Sequence, residues 1–227
     1  MLAQYVNDRS LGDSLIDYSI VVPASNAANA RKAARQVQAG RASDIRDVAL
    51  TLFAERGYLG TSMRDIASEL GLRAPSLYNH LDSKQELLRD IMLRTMEDLI
   101  TDHNAAVATT SDVAEQLRRA MEAHVRYHAR HPREVRIGNA EIWNLEQPTQ
   151  DQVRKLRRDY SRAWQDIITR GVDAGRFQTP SPQLASYAML EMGIGISLWY
   201  HEGGRLSESQ LAYYYGDMAL RLVSAQT

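Results

Sequence analysis

Hydrogen-bond donors crowd one short stretch of the sequence, and no acidic residue lies among them. The donors are Arg73, Ser76, Tyr78, Asn79 and His80. Leu77 and Leu81 lie four residues apart and would anchor the opposite side of a helix predicted at 74–81. A helix with donors on one side and leucines on the other suits the base edges and phosphates of a DNA groove.

Residues on either side of this helix complete a candidate DNA-binding surface. Lys84 falls in the first turn of the next predicted helix, after the cap residue Ser83. A cation there opposes the helix dipole, so an external anion such as phosphate explains it better. Thr61 or Ser62 caps the preceding helix, whose free N–H groups are suited to phosphate, and both are candidate DNA contacts.

Three short predicted helices position these side chains. The first is capped by Ser43, followed by Gly57, and carries one apolar stripe: Ile45, Val48, Ala49, Leu52 and Phe53. The second begins near Met63 and ends at Gly71, and the third is the donor-rich helix at 74–81. Short helices joined by a tight glycine turn predict a helix-turn-helix.

Helical periodicity continues to the C-terminus and predicts an all-α fold. Proline and glycine residues divide this part into helices at 112–130, 133–146, 150–174, 182–200 and 207–224. We predict an N-terminal basic arm at 1–40, a helix-turn-helix DNA-binding domain at 41–88, and a helical ligand-binding and dimerisation domain at 89–227.

The arm has a composition of its own. At residues 16–22 apolar side chains occupy every second position, which is typical of an extended segment. The stretch after Pro23 carries only basic charges: Arg31, Lys32, Arg35 and Arg41. An arm of this kind can reach into an adjacent minor groove, where narrow geometry concentrates negative potential. The alternative is that it has no part in DNA binding, and deleting residues 1–40 distinguishes the two.

The stretch from Gly57 to Leu88, with Leu-Tyr-x-His-x-x-x-Lys at Leu77 to Lys84, resembles the DNA-binding domain of the TetR family of repressors. The resemblance implies that Tyr78, His80 and Lys84 contact the DNA backbone and that Ser76 lies on the groove face. Two positions depart from the common pattern: Arg73 stands where the family often has serine, and Ala74 where it often has lysine. Base recognition by a lysine at 74 is therefore absent, and Arg73 is a candidate substitute.

Bulk composition excludes several classes of protein. The net charge is −1, so the DNA surface must be a local patch, and the absence of cysteine excludes disulfides, Cys-ligated zinc and thiol catalysis. We expect no secretory signal, because Asp8, Asp13 and Asp17 interrupt the apolar stretches near the N-terminus and no basic region leads into a long apolar run. We expect no membrane span, because the longest apolar stretch, 187–200, is short and contains Glu191. A cytoplasmic location is the expectation.

Motifs of catalysis are missing as well. The sequence has no Gly-x-Ser-x-Gly, no phosphate-binding glycine loop and no His-Glu-x-x-His, so we predict neither an enzyme nor a cofactor. A ligand-independent architectural DNA-binding protein is the alternative to a ligand-responsive regulator. The length of the C-terminal part argues against it, because dimerisation alone needs far fewer residues.

Several side chains of this C-terminal part are candidates for a ligand site. His124 and His128 continue the apolar stripe of Val113, Leu117 and Met121 and should face inward. Further candidates for a mixed apolar and polar cavity are Met92, Met96, Trp143 and Trp164. The histidine spacing also fits zinc, but no third ligand suggests itself, so we predict no metal. The histidines are either polar groups of a pocket or part of the core.

Basic residues crowd the predicted helix at 150–174: Arg154, Lys155, Arg157, Arg158 and Arg162. They form either a solvated face with i,i+4 ion pairs or, in part, a site for an anionic ligand. The stretch from Trp199 to Ser207, with Trp164 and residues 171–177, resembles TetR-type repressors of steroid and fatty-acid catabolism. That resemblance implies an acyl-CoA effector, with Arg158 and Arg162 near its phosphates. The alternative is another hydrophobic small molecule.

The helix at 182–200 is apolar nearly all round, so it needs a partner on each face. With the last helix, 207–224, it is suited to a four-helix interface in a homodimer on a palindromic double-stranded operator, and the family resemblance implies the same pair of helices. We expect Ile196 and Leu222 to lie in this interface. Repression, rather than activation, is an expectation from the family.

Overall fold

The computed structural model of the protein describes residues 42–225, and this range is helical without any strand. The all-α fold expected from the periodicity is therefore confirmed. The basic arm predicted at 1–40, together with Arg41, lies outside the described residues.

The first three helices form a small N-terminal unit. They are α1, covering 42–56, α2 (Met63–Glu69) and α3 (Ala74–Leu77). The predicted stripe of α1 is buried at Ile45, Ala49, Leu52 and Phe53, and Leu77 of α3 packs into the same core. The prediction that Ser43 caps α1 is wrong, because residue 42 is already helical.

Helix α3 is a single turn and does not extend to residue 81 as predicted. The N–H groups of His80 and Leu81 both bond the carbonyl of Leu77, at 2.8 and 3.2 Å. Two donors on one carbonyl tighten the chain into a turn, and α4 then begins after the cap at Ser83. Leu77 and Leu81 are nevertheless both buried, so the predicted anchor is present.

Six longer helices follow: α4 (Lys84–Val107), α5 (Val113–Arg130), α6 (Pro132–Ala140), α7 (Gln147–Asp173), α8 (Pro182–Trp199) and α9 (Glu208–Leu222). Two predicted boundaries were wrong. The helix predicted at 133–146 ends at Ala140 and is followed by a short 3₁₀ helix, Ile142–Asn144. Helix α7 starts at Gln147 rather than 150, because proline is tolerated in a first helical turn and Pro148 lies there.

Helix α5 is the centre of the C-terminal part. It packs against α4, α6, α7, α8 and α9, and Leu117, Met121 and Val125 on it are fully buried. Helix α9 approaches closely at Gly216, where a methyl group would come within 3.1 Å of Arg118 Cγ and 3.2 Å of Glu122 Cγ. The surrounding helices leave a cavity beside the C-terminal half of α5.

Helices α8 and α9 keep large apolar side chains on their outer faces. These exposed residues are Leu184, Tyr187, Leu198, Trp199, Tyr213, Tyr214, Met218 and Leu222. Ile196, expected in an interface, is 0% exposed and belongs to the core of its own protomer, because it lies on the opposite face of α8. Among the helices of residues 42–225, none combines the length and the apolar character that a bilayer crossing requires.

Candidate DNA-binding and ligand-binding sites

The donor-rich stretch around α3 presents its polar side chains outward. Tyr78 is 53% exposed, Arg73 and Asn79 are exposed, and Ser76 and His80 are half-buried. Arg73 immediately precedes α3 with an extended backbone, and its side chain makes no capping bond to the helix. Its guanidinium also forms no ion pair with any residue of the range 42–225. The arrangement leaves these donors available to an external acceptor.

The two residues predicted before α2 have different surroundings. Ser62 caps α2: its Oγ accepts from the Asp65 N–H, and its own N–H donates to the Asp65 carboxylate at 2.8 Å. The Ser62 hydroxyl also donates to the Asp65 carboxylate. This hydrogen bond is the largest cause, and that of the Ser62 N–H the next, of the lowered pKa of Asp65. Thr61 is buried, and its hydroxyl lies 3.0 Å from the carbonyl oxygen of Gly57 and 3.3 Å from that of Leu52. In this structure Thr61 fixes the loop between α1 and α2, and its contact with DNA stays a prediction.

Lys84 has partners within the protein. Its Nζ donates to the carbonyl oxygens of Tyr58 and Thr61, at 2.8 and 2.7 Å, and lies 4.1 Å from the centre of the Tyr58 ring. Burial lowers the pKa of this lysine, while the charge of Glu141 acts in the opposite direction. These two carbonyls already stabilise a cation at this position, so an external anion is not needed to explain it. Its phosphate contact remains a prediction, beside an observed role in holding the α1–α2 loop.

The same loop is bonded to the C-terminal part of the chain. The Tyr58 N–H donates to Glu141 Oε1 at 3.1 Å, and Glu141 Oε2 accepts from Asn144 Nδ2 at 2.6 Å. Gln85, in the first turn of α4, donates to the Asn144 carbonyl. Because Glu141 directly follows α6, the end of α6 is joined both to the α1–α2 loop and to the start of α4.

A cavity of about 270 Å³ lies between α4, α5, α6, α7 and α8. Its apolar lining includes Met92, Met96, Leu99, Val135, Val153 and Ile194. Its polar lining includes Thr95, His124, His128, Asn139, Arg157 and Tyr160. A mostly apolar space with a few convergent polar groups is typical of a small-molecule site.

Both predicted histidines face this cavity. His124 bonds Tyr160 Oη through Nδ1 at 3.0 Å and the Leu190 carbonyl through Nε2 at 3.2 Å. His128 Nδ1 lies 2.7 Å from the His124 carbonyl. Burial, the largest cause, lowers the pKa of His128 to about 4 and that of His124 well below its usual value, so both rings are neutral near pH 7.

Arg157 also lines the cavity. One of its amino groups donates to the Gly138 carbonyl at 2.7 Å, and no carboxylate of the range 42–225 pairs with it. Burial lowers the pKa of this arginine. Arg158 and Arg162 were predicted to bind the ligand instead of Arg157. The signal for Arg157 is its spacing, because one inward stripe of α7 runs through Val153, Arg157, Tyr160 and Trp164.

Met92 and Met96 line the cavity as predicted, whereas the remaining predicted ligand residues lie away from its lining. Arg158 and Arg162 are exposed, and Arg162 pairs with Asp159 at 3.4 Å. Trp143 is 74% exposed under the Arg154 guanidinium, whose carbon lies 4.8 Å from the ring centre. Trp164 is fully buried beside the His124 ring. Within the described residues, no three histidine or acidic side chains are placed to share a metal ion.

Comparison with known proteins relates both parts of the chain to one class. Residues 45–91 match the family model described as bacterial regulatory proteins, tetR family, and residues 110–223 match the model described as tetracyclin repressor-like, C-terminal domain. The transcriptional repressor KstR2 of Mycobacterium tuberculosis is 27% identical over 177 residues, which cover 77% of this chain and 88% of that protein.

Two solved structures are similar over most of the chain. The M. tuberculosis KstR2 structure aligns with a TM-score of 0.76 at 25% identity, covering 82% of this chain and 96% of that one. The structure of AibR in complex with isovaleryl coenzyme A and operator DNA aligns with a TM-score of 0.72 at 26% identity, covering 82% of this chain and 100% of that one.

Proposed function

The chain belongs to the TetR family of bacterial transcriptional regulators, and from this premise we propose that it is a ligand-responsive repressor. In this proposal it binds a palindromic operator as a homodimer and leaves the DNA when a small effector enters the cavity between α4 and α8. Family membership supports the regulatory role, and its members are in general not enzymes.

Arg157 is the observation that carries the ligand-responsive role. A guanidinium that lines an apolar cavity without a carboxylate partner is suited to a carbonyl or an anion brought by a ligand. An acyl thioester provides both an apolar chain and a carbonyl. The cavity of about 270 Å³ suits the acyl part, and coenzyme A would extend beyond it toward exposed basic residues of α7 such as Arg158 and Arg162.

The homologue AibR supports this effector class, since its structure contains isovaleryl coenzyme A. The second candidate, an uncharged hydrophobic molecule, is favoured by the number of apolar residues in the lining. Both candidates require the cavity. The architectural alternative does not, because a DNA-binding protein without an effector has no need of a lined space in its C-terminal part.

The outer face formed by α8 and α9 supports the homodimer. Leu184, Leu198, Met218 and Leu222 are exposed on helices that otherwise pack well, and a second copy would remove this apolar surface from water. A two-fold axis there would hold two helix-turn-helix units at a fixed spacing, as a palindromic operator requires.

Helix α6 supplies the coupling in this proposal. Val135 and Gly138 on it line the cavity, and Glu141 at its end accepts the Tyr58 N–H from the DNA-binding unit. An effector that displaces α6 therefore changes the position of the α1–α2 loop and of α4, and with them the spacing of the two recognition surfaces.

Operator release by acyl thioesters tests this function. A duplex is first selected from a random library, and its fluorescence anisotropy then reports binding while isovaleryl-CoA and longer acyl-CoAs are added. We expect a two-fold symmetric site and at least tenfold weaker binding with an effective acyl-CoA. Arg157→Met should retain DNA affinity and lose the response, whereas the control variant Lys155→Met, at an exposed residue that does not line the cavity and pairs with Asp159, should leave the response intact. A full response in Arg157→Met would contradict the proposed site.

A further inference from the structure

The protons of the buried histidine cluster can be assigned from their partners. A backbone carbonyl only accepts, so His124 Nε2 carries a proton and donates it to Leu190. In the neutral ring Nδ1 is then an acceptor, and Tyr160 must donate its hydroxyl proton to it across 3.0 Å. The oxygen of Tyr160 consequently reaches the cavity as an acceptor.

The same reasoning applies to His128. Its Nδ1 lies 2.7 Å from the His124 carbonyl and therefore donates to it. With the pKa lowered to about 4 by burial, the ring holds a single proton near neutral pH. Nε2 is thus an acceptor. Within residues 42–225 no protein group donates a hydrogen bond to this nitrogen, and the ring lines the cavity.

Thr95 adds a third acceptor to the cavity lining, after Tyr160 Oη and His128 Nε2. Its hydroxyl donates to the Ile91 carbonyl at 2.7 Å, which leaves only oxygen lone pairs for a ligand. Three polar side chains from α4, α5 and α7 thus have their protons committed to the protein. Arg157, in contrast, lines the cavity with a group that only donates, and the amide of Asn139 can donate or accept.

We infer that the cavity selects effectors whose buried part carries a hydrogen-bond donor, a hydroxyl or an N–H, and that His128 Nε2 is the atom that accepts it. This inference rests on the proposed function and narrows its effector class. A carbonyl of the same molecule would face Arg157. A ligand without a donor displaces water from His128 and leaves a buried acceptor without a partner, which is costly.

Two cyclic probes of similar shape test this selectivity. Cyclohexanol can donate a hydrogen bond and cyclohexanone cannot, and their dissociation constants for the full-length protein are measurable by NMR titration. We expect the alcohol to bind about tenfold more tightly. His128→Phe keeps a ring and removes the acceptor, so the preference should fall below about twofold. His128→Gln restores an acceptor and should recover part of it.

A matched control is His103→Phe, which replaces a buried histidine that does not line the cavity and should retain the tenfold preference. Equal binding of both probes to the wild type, or an unchanged preference in His128→Phe, overturns the inference while acyl-CoA-driven operator release still stands. Binding of neither probe overturns both the inference and the use of this cavity by an effector.

Discussion

Replacing Gly193 with alanine tests the packing around His124, one of the polar residues that line the cavity. A methyl group built at Gly193 lies 2.1 Å from Cδ2 and 2.5 Å from Nε2 of His124. The ring is hydrogen-bonded at both nitrogens, to Tyr160 and to Leu190, so it cannot move aside without losing those bonds. The variant Gly193→Ala must therefore displace either the ring or helix α8.

Three effects determine the expected magnitude. Overpacking in a close-packed core costs about 1–3 kcal/mol, and disrupting the two hydrogen bonds of His124 costs about 1 kcal/mol each. Alanine in a helix interior returns about 1 kcal/mol relative to glycine. The net loss in the free energy of unfolding is about 3 kcal/mol, equivalent to a melting temperature lower by about 6–12 °C for a chain of this size.

Chemical denaturation followed by circular dichroism measures this loss. The control is a double-mutant cycle with His124→Ala, which removes the ring that the new methyl group meets. The Gly193→Ala change should then cost at least about 2 kcal/mol less in the His124→Ala background than in the wild type. A neutral or stabilising Gly193→Ala variant, or strict additivity in the cycle, would refute the packing described for His124.

Three further predictions concern other parts of the chain. Lys84→Met should lower the free energy of unfolding by about 1–2 kcal/mol, since two hydrogen bonds to loop carbonyls are lost. An unchanged melting temperature would argue that Lys84 acts only on phosphate. The phosphate role is measured separately, as a decrease of about one unit in the slope of log affinity for the operator against log salt concentration. The double variant Leu184→Arg/Leu198→Arg should sediment as a monomer, whereas Ile196→Val, a change in the core, should leave the dimer intact. If the double variant remained dimeric, the interface would lie elsewhere. His103 and His128 have folded pKa values of about 4 against about 6.5 in an unfolded chain, so protons favour unfolding and stability falls as the pH is lowered from about 6.5 to 4. His103→Phe should make this decline shallower, by up to roughly 3 kcal/mol at pH 4, and an equally steep decline would show that His103 is not buried in the neutral form.

The sequence was most informative where local pattern and burial coincide. Leu77 and Leu81 are both buried, as their spacing indicates, and His124 and His128 continue the inward stripe of α5. The stripe signals follow from helical geometry alone, so they needed no knowledge of the neighbouring helices. The same is true of Gly57, which ends α1 with a φ of +76°.

Predictions that depended on a distant partner were less successful. The carbonyls that bind Lys84 belong to residues 23 and 26 positions away, and nothing in the local pattern points to them. Both faces of α8 are apolar, so composition does not distinguish the face that packs in the core from the face that is exposed. The prediction that Ile196 lies in the interface is therefore wrong, and Leu198, which is 76% exposed, faces outward. Among the six basic residues on α7, only the register against α5 and α6 identifies Arg157 as the one that reaches the cavity.

If an effector inside this cavity controls DNA binding, a variant whose cavity is filled should bind the operator normally and no longer respond to the effector. Ser161 lines the cavity from a half-buried position on α7, so Ser161→Phe places a ring in the space and removes only the 3.4 Å hydrogen bond that the Ser161 hydroxyl accepts from Gln165. Operator occupancy is followed by fluorescence anisotropy during titration with acyl-CoAs. We expect acyl-CoA to weaken DNA binding by the wild type at least tenfold and to release no operator from Ser161→Phe. Without acyl-CoA the two proteins should bind the operator with equal affinity. Equal release of the operator from both proteins would contradict it.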